Sequence, residues 1–114
     1  MSWEVEVSDE FRDWYEDLSL EEQDSVIYSV DVLRYGGPDV GRPHVDSVKG
    51  SRHSNMKELR VQHRGHPFRI LFAFDPRRMA YLILAGDKTG DPRWYETSVP
   101  RADAIYERHL LEIR

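Results

Sequence analysis

The sequence predicts a single α+β domain over residues 1–114, in the order β-α-α-β-β-β-α. An N-terminal helical hairpin packs on a small, mainly antiparallel sheet, and a C-terminal helix closes the chain. Three observations carry this reading. A chain of 114 residues has the length of one domain. Its apolar spacing changes from helical in the first third to alternating in the middle. Gly36-Gly37-Pro38, Arg64-Gly65-His66-Pro67 and Asp75-Pro76-Arg77-Arg78 punctuate the segments as turns.

The elements follow in chain order. Trp3-Glu4-Val5-Glu6-Val7 alternates apolar and acidic residues, as a half-buried strand does. Ser8 or Asp9 offers an N-cap, and Phe11, Trp14, Tyr15 and Leu18 at i, i+3, i+4, i+7 form one helical stripe. Ser19-Leu20-Glu21-Glu22 is a capping box for a second helix, which carries Val26, Ile27, Val30 and Leu33 inward and stops at Gly36-Gly37-Pro38. Residues 36–55 lack periodicity and read as a long loop. Met56–His63 and Phe68–Phe74 alternate and form a hairpin, and the apolar run Met79–Ala85 is a central strand covered on both faces. The chain then reads as loop to Val99, and Pro100 opens the last helix, with Ala102, Tyr106, Leu110 and Ile113 near one face.

Composition narrows the function. With 39% hydrophobic and 32% charged residues, the chain builds one core and is too apolar for disorder. The absence of cysteine excludes disulfide scaffolds, zinc ribbons and thiol nucleophiles. The sequence has neither a membrane-spanning apolar run nor a secretion signal, so a cytoplasmic location is expected, with no membrane partner. His44, His53, His63 and His66 lack metal-ligand spacing, so no metal or other cofactor is expected.

The net charge of −5 is an average over three unlike segments. Residues 1–41 hold 12 Asp/Glu against 2 Lys/Arg, residues 42–78 hold 3 against 9, and residues 79–114 hold 6 against 5. The local balances are therefore −10, +6 and −1. Such asymmetry hints at a polyanion-binding surface, or at two regions that neutralise each other within the fold. Acidic residues 1–41 would repel RNA over a Debye length of about 8 Å, so an RNA footprint is expected on a different face.

Strand periodicity then selects residues. Arg60 shares a face with Glu58 and Gln62, while Arg69 lies opposite the apolar Phe68, Ile70 and Phe72. A guanidinium in so apolar a strand needs a partner or a cleft. Convergence of Arg60 and Arg69 with Lys57 and Lys88 would make a phosphate clamp; pairing of Arg69 with Glu58 would make an internal ion pair.

Val48-Lys49-Gly50, Lys57-Glu58-Leu59-Arg60-Val61, Phe68-Arg69-Ile70-Leu71-Phe72 and Leu82-Ile83-Leu84-Ala85-Gly86-Asp87-Lys88, in this order and behind two helices, resemble the RelE/ParE toxin superfamily. Within it, the pattern is most similar to the HigB-like, phage-derived host-inhibition branch. The resemblance implies a RelE-like fold and a ribosome-dependent, metal-independent mRNA endonuclease, silenced by a cognate helix-turn-helix antitoxin. It implies Arg69 as transition-state stabiliser, Arg60 as phosphate-orienting group, Lys88 as RNA contact or proton-transfer aid, and His109 as an acid or base on the last helix. Lys49, His53, Lys57, Arg77, Arg78 and Trp94 are the expected RNA-binding side chains, with Trp94 available to stack on a base. A ParE-like gyrase inhibitor and a non-catalytic antitoxin-binding or phage-derived host-inhibition module remain alternatives, and the oligomeric state stays open.

Overall fold

Two serine caps set the N-terminal hairpin. In the computed structural model, which describes residues 2–114, Ser8 Oγ accepts from the Phe11 N–H at 2.9 Å and donates to the Ile83 carbonyl at 2.5 Å. One hydroxyl thereby starts helix α1 (Asp9–Glu16) and ties it to the sheet just beyond strand β1 (Val5–Val7). The expected capping box is present: the Glu22 N–H donates to Ser19 Oγ at 3.1 Å and the Ser19 N–H to Glu22 Oε1 at 2.8 Å. Helix α2 (Leu20–Gly36) ends at Gly37, whose φ of +59° favours glycine and whose missing Cβ makes room for the Trp3 indole.

The remaining elements are β2 (Val45–Ser47), β3 (Lys57–His63), β4 (His66–Phe74), β5 (Ala80–Asp87) and α3 (Trp94–Glu112). The sheet order is β1-β5-β4-β3-β2, with β1 parallel to β5 and every other pair antiparallel. The turn between β3 and β4 is only two residues long, because Arg64 and Gly65 both adopt positive φ.

Each face of the sheet has its own core. Phe11, Val26 and Leu33 from the hairpin meet Leu59, Val61, Phe68, Ile70, Phe72 and Leu82 on one face. On the other, Val99, Ala102, Ile105 and Tyr106 of α3 meet Leu71, Ala73, Tyr81 and Ile83. A register shift opposite Leu71/Phe72 lets Ile83 and Leu84 both join the α3 side, and Gly86 then faces Trp94.

The structure corrects the sequence reading at four places. The presumed loop 36–55 contains the short edge strand β2. The tail of the central strand reaches Asp87 rather than Ala85. Ile27 is not inward but 46% exposed, and Ser29 takes a buried place on α2. Most consequentially, α3 begins at Trp94 and Pro100 lies inside it. Proline removes a helix hydrogen bond at a cost of about 3 kcal/mol. Burial of Trp94 and Val99, at about 1.5–3 kcal/mol each, offsets that loss.

The exposed position of Pro100 therefore yields a test. Pro100→Ala should raise stability by about 1–3 kcal/mol in urea unfolding. A helix starting at Pro100 would instead gain nothing or lose a favourable first-turn proline.

Candidate functional site

The core dictates where the arginines point. Leu59, Val61, Phe68 and Ile70 fill the hairpin-side core, so the alternating Arg60 and Arg69 project to the opposite face. They sit directly across from each other on β3 and β4. Strand β2 pairs only with Lys57–Leu59, and the Arg60 N–H donates to the His44 carbonyl at 2.8 Å. Beyond that point β3 is an edge, and a groove of about 630 Å³ opens along it. The strands contribute Arg60, Gln62 and Arg69 to the groove. Helix α2 contributes Asp24, Ser25 and Tyr28, and the loop before β2 contributes Pro43 and His44.

The two guanidiniums have different surroundings. Arg60 Nε donates to Glu58 at 3.1 Å and its Nη2 to Asp46 at 3.2 Å. The Arg69 side chain is only 13% exposed; Nη1 donates to the Phe68 carbonyl at 3.0 Å, while Nε stands 3.9 Å from Glu58, within Coulombic reach but beyond hydrogen bonding. Arg69 Nε is the one buried side-chain polar atom without a partner among the described residues. A buried donor without a partner is costly, and the nearby Glu58 charge offsets part of that cost. Glu58, itself 5% exposed, accepts from the Tyr95 hydroxyl at 2.5 Å on the same Oε1 that faces Arg69, while its Oε2 accepts from Arg60. Burial, and then this carboxylate neighbour, push the Tyr95 hydroxyl above its ordinary pKa, so it stays a donor.

The ion pair between Glu58 and Arg69 and the convergence of Arg60 with Arg69 thus coexist. Lys88 does not line the groove; its Nζ lies 5.8 Å from the Tyr95 ring, bordering the Glu58 cluster from the α3 side. Lys57 shares strand parity with Leu59, so it faces away from Arg60, with its Nζ 6.0 Å from the Phe74 ring. Trp94 is buried against Gly86 and cannot stack on a base without leaving the core. Lys49 is exposed in the loop after β2. His53 is held by Glu107 at 3.0 Å and packs edge-on against Tyr106, so it belongs to the α3 contact of that loop.

The other predicted residues lie at the far end of the sheet. Arg77 follows β4 by three residues, and Arg69 to Asp75 alone spans about 20 Å of strand. There Arg77 binds Asp75 at 2.8 Å and Glu6 at 3.2 Å, and Arg78 lies over the Trp3 ring. His109 is buried, stacks on Tyr81 with ring centres 3.5 Å apart, and meets Asp75 at 2.9 Å. It stands 14 residues along α3 from Tyr95, about 21 Å, so it is a packing residue and not part of the groove.

The groove also contains residues that strand and loop patterns passed over. Tyr28, Asp24, Gln62 and His44 are separated by up to 38 positions in sequence and share a wall only after folding. Helix α2, from the acidic N-terminal third, forms one side of this groove.

Residues 13–107 match the family described as Phage derived protein Gp49-like (DUF891). Two Mycobacterium tuberculosis proteins, the candidate toxins HigB2 and HigB3, are similar in sequence. HigB2 is 40% identical over 114 residues, covering 98% of this chain and 56% of that protein. HigB3 is 47% identical over 98 residues, covering 85% of this chain and 84% of that protein. The chain thus spans little more than half of HigB2. An E. coli toxin RelE mutant in the free state shares the fold, with a TM-score of 0.61 and 11% identity over 89% of this chain and 98% of that one.

The Asp75 network sets an acid limit on stability. Burial would raise the Asp75 pKa, but hydrogen bonds from Arg77, His109 and the Met79 and Arg77 N–H groups hold it below the ordinary 3.8. A depressed carboxylate stabilises the fold above its unfolded pKa, and that contribution is lost as pH falls through the lower folded value. Asp75→Asn should cost about 1–3 kcal/mol at pH 7, since it replaces a buried carboxylate that accepts from Arg77, His109 and two backbone N–H groups. Urea unfolding of the variant should also depend less on pH below 3.8 than that of the native chain.

Proposed function

The chain belongs to the phage-derived Gp49-like family, and we propose that it is a HigB-type toxin of a type II toxin–antitoxin pair. In this reading it is a metal-independent endoribonuclease that cuts mRNA on the ribosome, and a cognate helix-turn-helix antitoxin silences it. The observation that carries the reading is the pair of guanidiniums, Arg60 and Arg69, directly across from each other on adjacent strands and lining a groove open to solvent.

The chemistry matches those groups. The 2′-hydroxyl of one nucleotide loses its proton and its oxygen bonds to the adjacent phosphorus. The P–O5′ bond breaks, and the departing 5′-oxygen takes up a proton. Charge grows on the phosphoryl oxygens meanwhile, and preorganised donors aimed there are worth roughly 10²–10³ in rate apiece. The Arg69 guanidinium at the groove supplies such donors, and Arg60, more exposed at 36%, orients the phosphate by exchanging one of its carboxylate partners for it. Glu58 and Tyr95 act as positioning residues that hold the guanidiniums. His44 is the imidazole that lines the groove, and imidazole suits the proton exchange. Lys88 adds attraction for the RNA backbone from the Tyr95 side.

One feature favours a second reading, a non-catalytic antitoxin-binding module: Arg60 is already paired with both Glu58 and Asp46. Growth after induction separates the two. The native chain should arrest growth with cleaved mRNA, and Arg69→Ala should abolish the arrest while circular dichroism stays native. Because that variant leaves Glu58 buried beside a lost cation, Arg69→Ala/Glu58→Gln serves as the folded control. Arrest by the folded double variant would refute the role of Arg69. Arrest with intact mRNA and accumulated DNA breaks would refute the nuclease, and a harmless native chain would select the binding module.

A further inference from the structure

The α2 wall of the groove has hydrogen-bonding and stacking capacity that the phosphate chemistry does not use. Asp24 forms no ion pair or side-chain hydrogen bond among the described residues, and neither does the Gln62 amide. Tyr28 is 67% exposed, with its ring at the same groove. Asp24 shares the groove with the two guanidiniums and pairs with neither, so its carboxylate is left to meet something other than phosphate. An aromatic ring and an acceptor pair on the α2 wall, with the Gln62 amide on the strand wall, have the requirements of a splayed-out nucleobase: a face to stack on and an edge to read.

The donor and acceptor pattern then chooses the base. Two carboxylate oxygens accept from two adjacent donors, and among the four RNA bases only guanine presents them, at N1–H and N2–H. Adenine and cytosine place a ring acceptor beside their amino group, facing the carboxylate with a lone pair. Uracil flanks its single N–H with two carbonyls. The Gln62 amide can donate to guanine O6. A volume of about 630 Å³ lies within the roughly 300–1,000 Å³ of small-molecule clefts.

We propose that Asp24, Tyr28 and Gln62 form a base-recognition subsite that selects guanine next to the phosphate held by Arg60 and Arg69. The proposal rests on the nuclease reading above and deepens it.

The test is end-mapping of cleavage products in a translating extract containing ribosomes, a mixed-sequence mRNA and the full chain. The native protein should cut next to guanosine about tenfold more often than next to the other nucleosides. Asp24→Asn should bring guanosine down to the level of the rest. Tyr28→Ala should slow cutting at every site, with Tyr28→Phe restoring it. Both positions are solvent-facing on α2, and an unchanged melting temperature confirms the fold. Cleavage by the native chain without guanosine bias overturns the subsite and leaves the nuclease reading standing. A bias that survives Asp24→Asn, or cutting indifferent to Tyr28→Ala, overturns it as well. No cleavage by the native chain overturns both.

Discussion

A guanidinium placed in the central antiparallel strand is the constraint on which the rest depends. Arg69 is flanked on β4 by Phe68 and Ile70, both fully engaged in the hairpin-side core, so its own side chain must go to the other face. Desolvating such an ion costs several kcal/mol. The fold meets that cost with Glu58 from the neighbouring strand, and Tyr95 from α3 fixes Glu58 in turn. Strand register, the start of α3 and the open β3 edge all converge on this one cluster. Compensation is incomplete, since Arg69 Nε remains without a hydrogen-bond partner. The remainder of the Arg69 guanidinium lines the groove together with Arg60, so two cations stand ready for an anion there.

Part of the charge segregation along the chain is neutralised within the fold. Arg64 reaches Glu21, Arg77 reaches Glu6 and Arg108 reaches Glu10, so cations from the later segments meet the acidic N-terminal third. Such exposed pairs contribute roughly 0–1 kcal/mol each. They do remove cations from the pool that could face a polyanion. The groove beside α2 is therefore a local feature of mixed charge rather than part of a broad basic face. That arrangement suits recognition of one phosphate and its neighbouring base better than diffuse attraction to a duplex.

Much of this was legible in the residues. The capping box at Ser19, the apolar stripe of α1, the parity of Arg60 and the isolation of Arg69 within an apolar strand each follow from spacing alone. The start of α3 was not legible, because a proline at position 100 is a first-turn signal locally. Only the packing of Trp94 on Gly86 overrides it. His109 resembled a catalytic group by residue type, yet it is buried between Tyr81 and Asp75. Lys57 was read as a partner of Arg60 although strand alternation sends it to the opposite face.

By itself, the sequence determined the helical hairpin, the three longer strands and the face to which each of their residues turns, because helical and strand periods are local properties of the backbone. It also determined that Arg69 must find either a carboxylate or a cleft. Tertiary structure alone decided that Arg69 finds both, and that Tyr28 and Asp24 of an acidic helix stand across the groove from it. The reason is geometric: no local pattern encodes which helix will border the unpaired edge of β3. That depends on β2 beginning only at Val45, opposite Leu59, and on how the hairpin seats on the sheet.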